Sequence, residues 1–420
     1  MAALVRLCLF LVVSTAVAGF AAPLPSATPE DLGMSSERLA RLGTIFQRAV
    51  DSGELPGAVV MVARDGRLVY SQSLGWQEKA RNVRMREDSI FRIYSMTKPV
   101  VSVAAMMLVE EGVLGLHEPL SKYLPEFREM KVGIEGTDSS GKASFTTADA
   151  KRQITVQDLL RHTSGFTYGA FVQKTAVQRM YKDAGLWSQK WVLADFCKAL
   201  AKLPLQYEPG TTWEYGHSTD VLGRVVEVVS GKPLDRFLAE RIFSPLGMSD
   251  TAFQVPRDKQ DRLAEPMPDK HTGKTPELID VRQPATFFAG GHGLVSTAGD
   301  YLRFVQMLLN GGALDGVRIL GPRTVEYMAS THLHDGISLG TNYLPGPGYG
   351  FGLGFGTRLE IGMSEWPGSV GDFYWGGYAG TYFWIDPEQG LVVTFMSQEP
   401  VRRQHFRTLL RNLVYQAIME

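Results

Sequence analysis

The stretch FRIYSMTKPVVSVAAMMLVEEG, Phe91 to Gly112, constrains this chain more than any other. From Met96 to Val109 it is almost wholly apolar, and its alanines and methionines favour helix. A helix apolar on every side is a buried one. Gly112 stands where such a helix would stop. At its entrance Ser95 and Lys98 are one turn apart and share a face. A buried helix has no structural use for a lysine there, but a chemical use exists. An ammonium taken out of water loses its charge more easily, and the neutral amine can take the proton of a neighbouring serine hydroxyl. The helix N-terminus also favours the negative charge that develops when a serine attacks a carbonyl. Pro99 removes a backbone donor and is tolerable only in a first turn. The bland alternative is a helix cap with a solvated lysine. A second Ser-x-x-Lys, Ser139 to Lys142, lies in the polar segment EGTDSSGKAS, where that spacing fixes nothing.

Bulk composition narrows the function classes. The chain has 420 residues, 44% hydrophobic and 21% charged, which is a globular balance with length for a large core. A net charge of −1 gives no sign of a nucleic-acid or anionic-membrane surface. Residues 1–22 read as a secretory leader. Arg6 is its charged start, Leu7 to Val13 its short apolar core, and cleavage is expected near residue 18 or 22. That core is too short to span a bilayer, so a periplasmic or secreted protein without stable membrane insertion is expected. With Cys8 lost in the leader, Cys197 is the one cysteine of the mature chain, and no internal disulfide forms. His332 and His334 are too sparse for a metal site and no H-E-x-x-H occurs, so no metal and no cofactor is expected. Gly136 to Ala143 is a near miss to a phosphate-binding loop, without the hydroxyl after its lysine or a strand before it. No G-x-S-x-G elbow is present, which argues against the α/β-hydrolase fold.

Taken in order, Ser36 to Val50 has helical periodicity. Ala58 to Ala63 and Leu68 to Leu74 form a hairpin around Asp65-Gly66. Met130 to Arg152 is polar and reads as an inserted loop. Thr155 with Asp158, and Thr297 with Asp300, mark helix starts. Helices are expected over Trp187 to Leu203, Asp220 to Val229 and Leu234 to Phe243. From Gly348 to Gly356 glycine alternates with Tyr349, Phe351, Leu353 and Phe355, a strand with one aromatic and one bare face. Phe373 to Trp375, Thr381 to Ile385 and Leu391 to Met396 are further strands. Arg402 to Ile418 is a closing helix whose arginines Arg402, Arg403, Arg407 and Arg411 read as its solvated face. Short turns make the C-terminal strands antiparallel. The expected class is α/β of the α+β type. Residues 23–420 form one domain: a sheet lobe (36–119 and 286–420) flanked by the terminal helices, and a helical lobe (120–285), with the cleft between them.

Ser95-Met-Thr-Lys98, Tyr215-Gly-His217 and Trp375-Gly-Gly377 together resemble the serine β-lactamase-like superfamily: class C β-lactamases, DD-peptidases and family VIII carboxylesterases. Asp158 to Gly165, Tyr207 to Gly210, Ser218 to Gly223 and Gly291 to Thr297 add to the resemblance, which runs from about Ser36 to Met396. It implies a β-lactamase/DD-peptidase-like fold with Ser95 as acylated nucleophile, Lys98 as its base, and Tyr215 sharing acid/base work. The backbone N–H groups of Ser95 and Tyr378 would form the oxyanion hole. His217, Trp375, Gly376 and Gly377 would line the substrate. Two positions depart from the family pattern. Trp375 replaces the third-motif lysine that helps hold a β-lactam or peptide carboxylate, leaving an apolar wall with one donor. His217 replaces the second-motif asparagine. Trp-Gly-Gly is similar to family VIII esterases, so the resemblance implies short-chain esters with a small neutral acyl group. A β-lactamase or DD-peptidase, an acyltransferase using the same acyl-enzyme, and a non-catalytic binding relative are the competing readings. The expected partner is a small ester or amide.

Overall fold

Along Gly57–Arg64 successive side chains point to opposite faces, and both faces are covered. Ala58, Val60 and Val62 face the terminal helices, packing with Leu39, Phe46, Phe406 and Leu410. Val59, Met61 and Ala63 face the interior of the molecule with Phe383, Ile385 and Met396. The computed structural model describes residues 23–137, 139–169 and 173–420. The expected leader lies outside them.

The sheet has eight strands in the order Tyr349–Phe351, Gly356–Arg358, Phe373–Gly376, Tyr382–Asp386, Leu391–Ser397, Gly57–Arg64, Arg67–Glu78, Val83–Arg84. Every neighbouring pair is antiparallel. The N-terminal hairpin joins the C-terminal strands as expected, with Val60 opposite Phe395. Its loop, Asp65 and Gly66 with φ of 48° and 75°, has the two left-handed residues that match strand twist. The helices Ser36–Asp51 and Arg403–Tyr415 cover the outer face. Ala298–Leu309 packs on the inner face, and Thr97–Glu110, buried from Thr97 to Leu108, lies against Ser218–Ser230. One apolar cluster continues from these helices into the middle of the chain, through Val156–Leu160, Leu193–Leu200 and Ser218–Ser230.

Both expected helix starts form. Thr155 and Asp158 make a reciprocal capping box, and Thr297 accepts from the Asp300 N–H. Four local expectations need correction. Met130 to Arg152 is not a loop: Lys131–Thr137 and Ala143–Asp149 pair as a ribbon. Its ladder needs no apolar pattern, and it is anchored by Gly133 N–H donating to Leu205 O and Leu205 N–H to Lys131 O (2.9 and 2.7 Å). The Trp187 to Leu203 helix shrinks to Leu193–Leu200, because Trp187 packs on Tyr168 and His292 instead. The glycine–aromatic run is a hairpin, turning where Gly352 N–H donates to Phe355 O at 2.8 Å. Its bare face is real: a Cβ on Gly352 would stand 2.1 Å from Met328 O. Finally, the closing helix does not solvate its arginines as a row. Arg411 is fully buried against Asp372, and Arg407 donates to Gly377 O (2.6 Å) and Thr381 O (3.0 Å).

Candidate active site

Ser95 stands in a 3-10 turn, Tyr94–Met96, that leads directly into Thr97–Glu110. Tyr94 has φ of 43°, an uncommon conformation for a bulky residue that marks a locally forced turn. The turn is held on several sides. Ile93 N–H donates to Leu294 O (3.0 Å), Tyr301 Oη to Met96 O (2.8 Å), and Leu294 N–H to Thr97 Oγ1 (3.1 Å).

Lys98 is buried and its Nζ reaches three oxygens: Gly291 O at 2.7 Å, Tyr168 Oη at 3.3 Å and Ser95 Oγ at 3.4 Å. It also lies over the Tyr215 ring, 4.6 Å from the centroid. Tyr215 is therefore brought to the lysine by its face, while its Oη accepts from Trp375 Nε1 at 3.4 Å. The lysine's phenolic hydrogen bond goes to Tyr168, which the sequence reading missed. Burial first, and then Asp220 and Tyr215, push the Tyr168 phenol well above its ordinary range, so it stays protonated.

Trp375 and Gly376 end a sheet strand beside this turn, and Gly377 follows it. Gly377 approaches so closely that a Cβ there would meet Thr381 Oγ1 at 2.2 Å and Ile93 O at 2.3 Å. Tyr378 follows, its ring edge-on to Tyr94 at 5.5 Å. The two expected oxyanion donors, the N–H groups of Ser95 and Tyr378, thus belong to segments in direct contact.

Two hollows meet at Ser95, Tyr168, Tyr215 and Tyr378. One, of about 300 Å³, is walled by Trp375, Trp366, Tyr374 and Leu344, with Arg403 and Arg407 at its end. The other, of about 480 Å³, runs past Tyr94, Trp187, Ile279 and His292. Among the described residues neither Arg403 nor Arg407 is paired with a carboxylate, unlike Arg402 and Arg411. Trp375 is 3% exposed, and its indole packs against Tyr215 and Phe351 with its edge on the first hollow.

His217 does not line either hollow. It is 1% exposed, lies under the Tyr168 ring, and is held by its Nδ1 to Asp220 Oδ2 at 2.9 Å. The sequence placed it on the substrate because the motif position faces the cleft in the family pattern; here an acid one helical turn on turns it inward. His162 is likewise buried, its ring 5.0 Å from that of Tyr215. Burial holds its imidazole well below the ordinary range, with Lys98 adding to the effect. His292 is held down to about 4, first by burial, against the pull of Asp220. Among the described residues no cluster of three metal-ligating side chains occurs, and no helix is long and apolar enough to cross a membrane.

A buried amine within reach of a serine hydroxyl, at the meeting of two hollows and beside a close-packed strand end, is suited to acyl transfer. The known relatives agree. The Beta-lactamase family model matches residues 42–416. Protein Rv1367c of Mycobacterium tuberculosis (strain ATCC 25618 / H37Rv) is 37% identical over 84% of this chain and 88% of its own length. Esterase EstB of Burkholderia gladioli is 30% identical over 85% of this chain and 90% of its own. The solved structure of EstCE1, a hydrolase with promiscuous acyltransferase activity, superposes with a TM-score of 0.77 and 26% identity, covering 90% of this chain and 99% of that one. The chain therefore belongs to the beta-lactamase family, as a serine hydrolase of the β-lactamase-like kind close to its esterase branch.

Proposed function

We propose that the protein hydrolyses short-chain carboxylic esters through an acyl-enzyme on Ser95. The observation that carries the reading is the buried Lys98 amine, 3.4 Å from Ser95 Oγ, at an aromatic cleft whose third motif offers Trp375 in place of a lysine. Lys98 takes the Ser95 proton as Oγ attacks the ester carbonyl. The carbonyl oxygen becomes an oxyanion that accepts from the Ser95 and Tyr378 N–H groups. Collapse of the tetrahedral intermediate breaks the C–O bond to the alcohol, whose oxygen takes back the proton held by Lys98, with the Tyr215 hydroxyl at the same cleft sharing in the transfer. Water then attacks the acyl-enzyme by the reverse path and frees Ser95. An alcohol in place of water gives acyl transfer from the same intermediate. That outcome is supported by EstCE1, described as a hydrolase with promiscuous acyltransferase activity. Trp375, Gly376 and Gly377 form the acyl wall.

The test is parallel turnover of p-nitrophenyl butyrate and a chromogenic cephalosporin by wild type and Ser95→Ala. The expected result is rapid ester hydrolysis that disappears in the variant, with little cephalosporin turnover. Cephalosporin hydrolysis as fast as ester hydrolysis would overturn the reading of Trp375. Equal ester turnover in both proteins would remove Ser95 as nucleophile.

A further inference from the structure

The Lys98 Nζ makes its shortest hydrogen bond with the Gly291 carbonyl, at 2.7 Å. A carbonyl has no proton to give, so one N–H of the amine is committed there in both protonation states. Gly291 is itself held from the other side: its N–H donates to Asp220 Oδ1 at 2.8 Å. Asp220 is fully buried on the helix Ser218–Ser230, and its other oxygen takes His217 Nδ1. A Cβ on Gly291 would stand 2.9 Å from Asp220 Oδ1, so the contact requires glycine.

The groups around this pair come from every element packed on it: Ser95, His162, Tyr168, Tyr215, His217, His292 and Cys197. His162 and His292 are held neutral by burial, and Tyr168 is held protonated. Among the described residues of this cluster Asp220 is the one carboxylate and Lys98 the one amine. Burial alone would push the Asp220 carboxyl up. The hydrogen bond from His217, with His292 and Lys98 nearby, outweighs it and holds the group at about 2, so it is an anion at working pH.

We propose that Asp220 is a positioning residue for the amine: through Gly291 its buried carboxylate fixes where Lys98 Nζ sits and supplies the negative charge that balances its ammonium form. A change in that charge is therefore expected to show in the pH dependence of activity. The inference rests on the Ser95–Lys98 reading given above.

Asp220→Asn keeps the acceptor for the Gly291 N–H and removes the charge. The pH profile of kcat/KM for p-nitrophenyl butyrate is expected to move its acid limb to lower pH by about one unit, a size consistent with two charges bridged by two hydrogen bonds in a poorly solvated site. An acid limb that stays at the wild-type pH overturns the proposal, because a merely structural loss would lower the plateau without moving it. Should Asp220→Asn fail to fold, Gly291→Ala retains the carboxylate but displaces the carbonyl from Lys98. Its expected effect is roughly a tenfold loss of kcat, and an unchanged kcat overturns the proposal. Ser95→Ala in the same assay separates the two readings. A fully active Ser95→Ala sinks the nucleophile assignment. A dead Ser95→Ala with an unmoved Asp220→Asn limb sinks only this inference.

Discussion

Gly377→Ala tests whether the strand end and the serine turn must touch. The added methyl would stand 2.3 Å from Ile93 O and 2.2 Å from Thr381 Oγ1. Ordinary contact begins near about 3.5 Å, so the segments must part by about 1 Å. Ile93 O is backbone, two residues before Ser95, and cannot yield without moving the turn. Thr381 Oγ1 is itself committed to Ile93 O at 3.2 Å. The Tyr378 N–H, next in sequence, moves with the strand. A donor displaced by that much no longer reaches the oxyanion, and loss of one such donor costs about 10²–10³ in kcat. Overpacking adds roughly 1–3 kcal/mol of destabilisation. The assay is kcat and KM on p-nitrophenyl butyrate alongside thermal unfolding. The expected result is a fall in kcat with a smaller change in KM and a lowered midpoint. Gly376→Ala is the comparison. Its methyl meets a side chain, the Arg407 guanidinium at 2.6 Å, rather than the backbone of the serine turn, so its loss is expected to be smaller. A Gly377→Ala enzyme with unchanged kcat would refute the geometry of the oxyanion hole.

Three other outcomes are expected. Asp372→Asn removes the carboxylate shared by Arg358 Nε (2.6 Å) and Arg411 Nη1 (3.0 Å), leaving two buried guanidinium groups without it. Unfolding in urea is expected to show a loss of about 3–5 kcal/mol. His292, lowered from 6.5 to about 4, stays neutral in the folded state while the unfolded chain takes up a proton, so its contribution to stability falls as pH drops from 6.5 towards 4. His292→Asn should flatten that part of the stability curve, measured by urea unfolding across the window; an equally steep curve would refute it. Arg403 and Arg407 should give a p-nitrophenyl hydrogen glutarate a lower KM than its neutral methyl ester, with the gap narrowing as salt is added. Equal KM values would show that the two arginines face away from bound substrate.

Much of the fold rests on signals that act over a few residues. Asp65-Gly66 makes its turn, and Thr155 and Thr297 cap their helices, because the partners lie within one turn of chain. The apolar run after Ser95 announces its own burial. What escaped the sequence depends on distant partners. Arg411 is an ordinary surface arginine until Asp372, just before the strand Phe373–Gly376, reaches it. Tyr168 follows a quoted motif by a few residues, yet nothing local says its hydroxyl will meet Lys98. Asp220 lies in the first turn of its helix, where an acid reads as an ordinary N-terminal charge, and its partner Gly291 is far along the chain. His217 was misplaced for the same reason, since Asp220 decides which way its ring turns.

The pairing of Gly57–Arg64 with Leu391–Ser397, and the reach of Arg407 to Gly377 O, have a consequence for synthesis. The centre of the sheet joins segments far apart in sequence, and a side chain from the helix Arg403–Tyr415 holds the strand end beside Ser95. A chain still on the ribosome has Ser95 and Lys98 but lacks the strand end that lies beside them. Folding must wait for contacts of long sequence separation, which form slowly and leave apolar surface uncovered in the meantime. Activity is therefore expected only once that helix has been made. A truncation within Arg403–Tyr415 should silence it permanently, though every residue that touches the ester carbonyl would still be present.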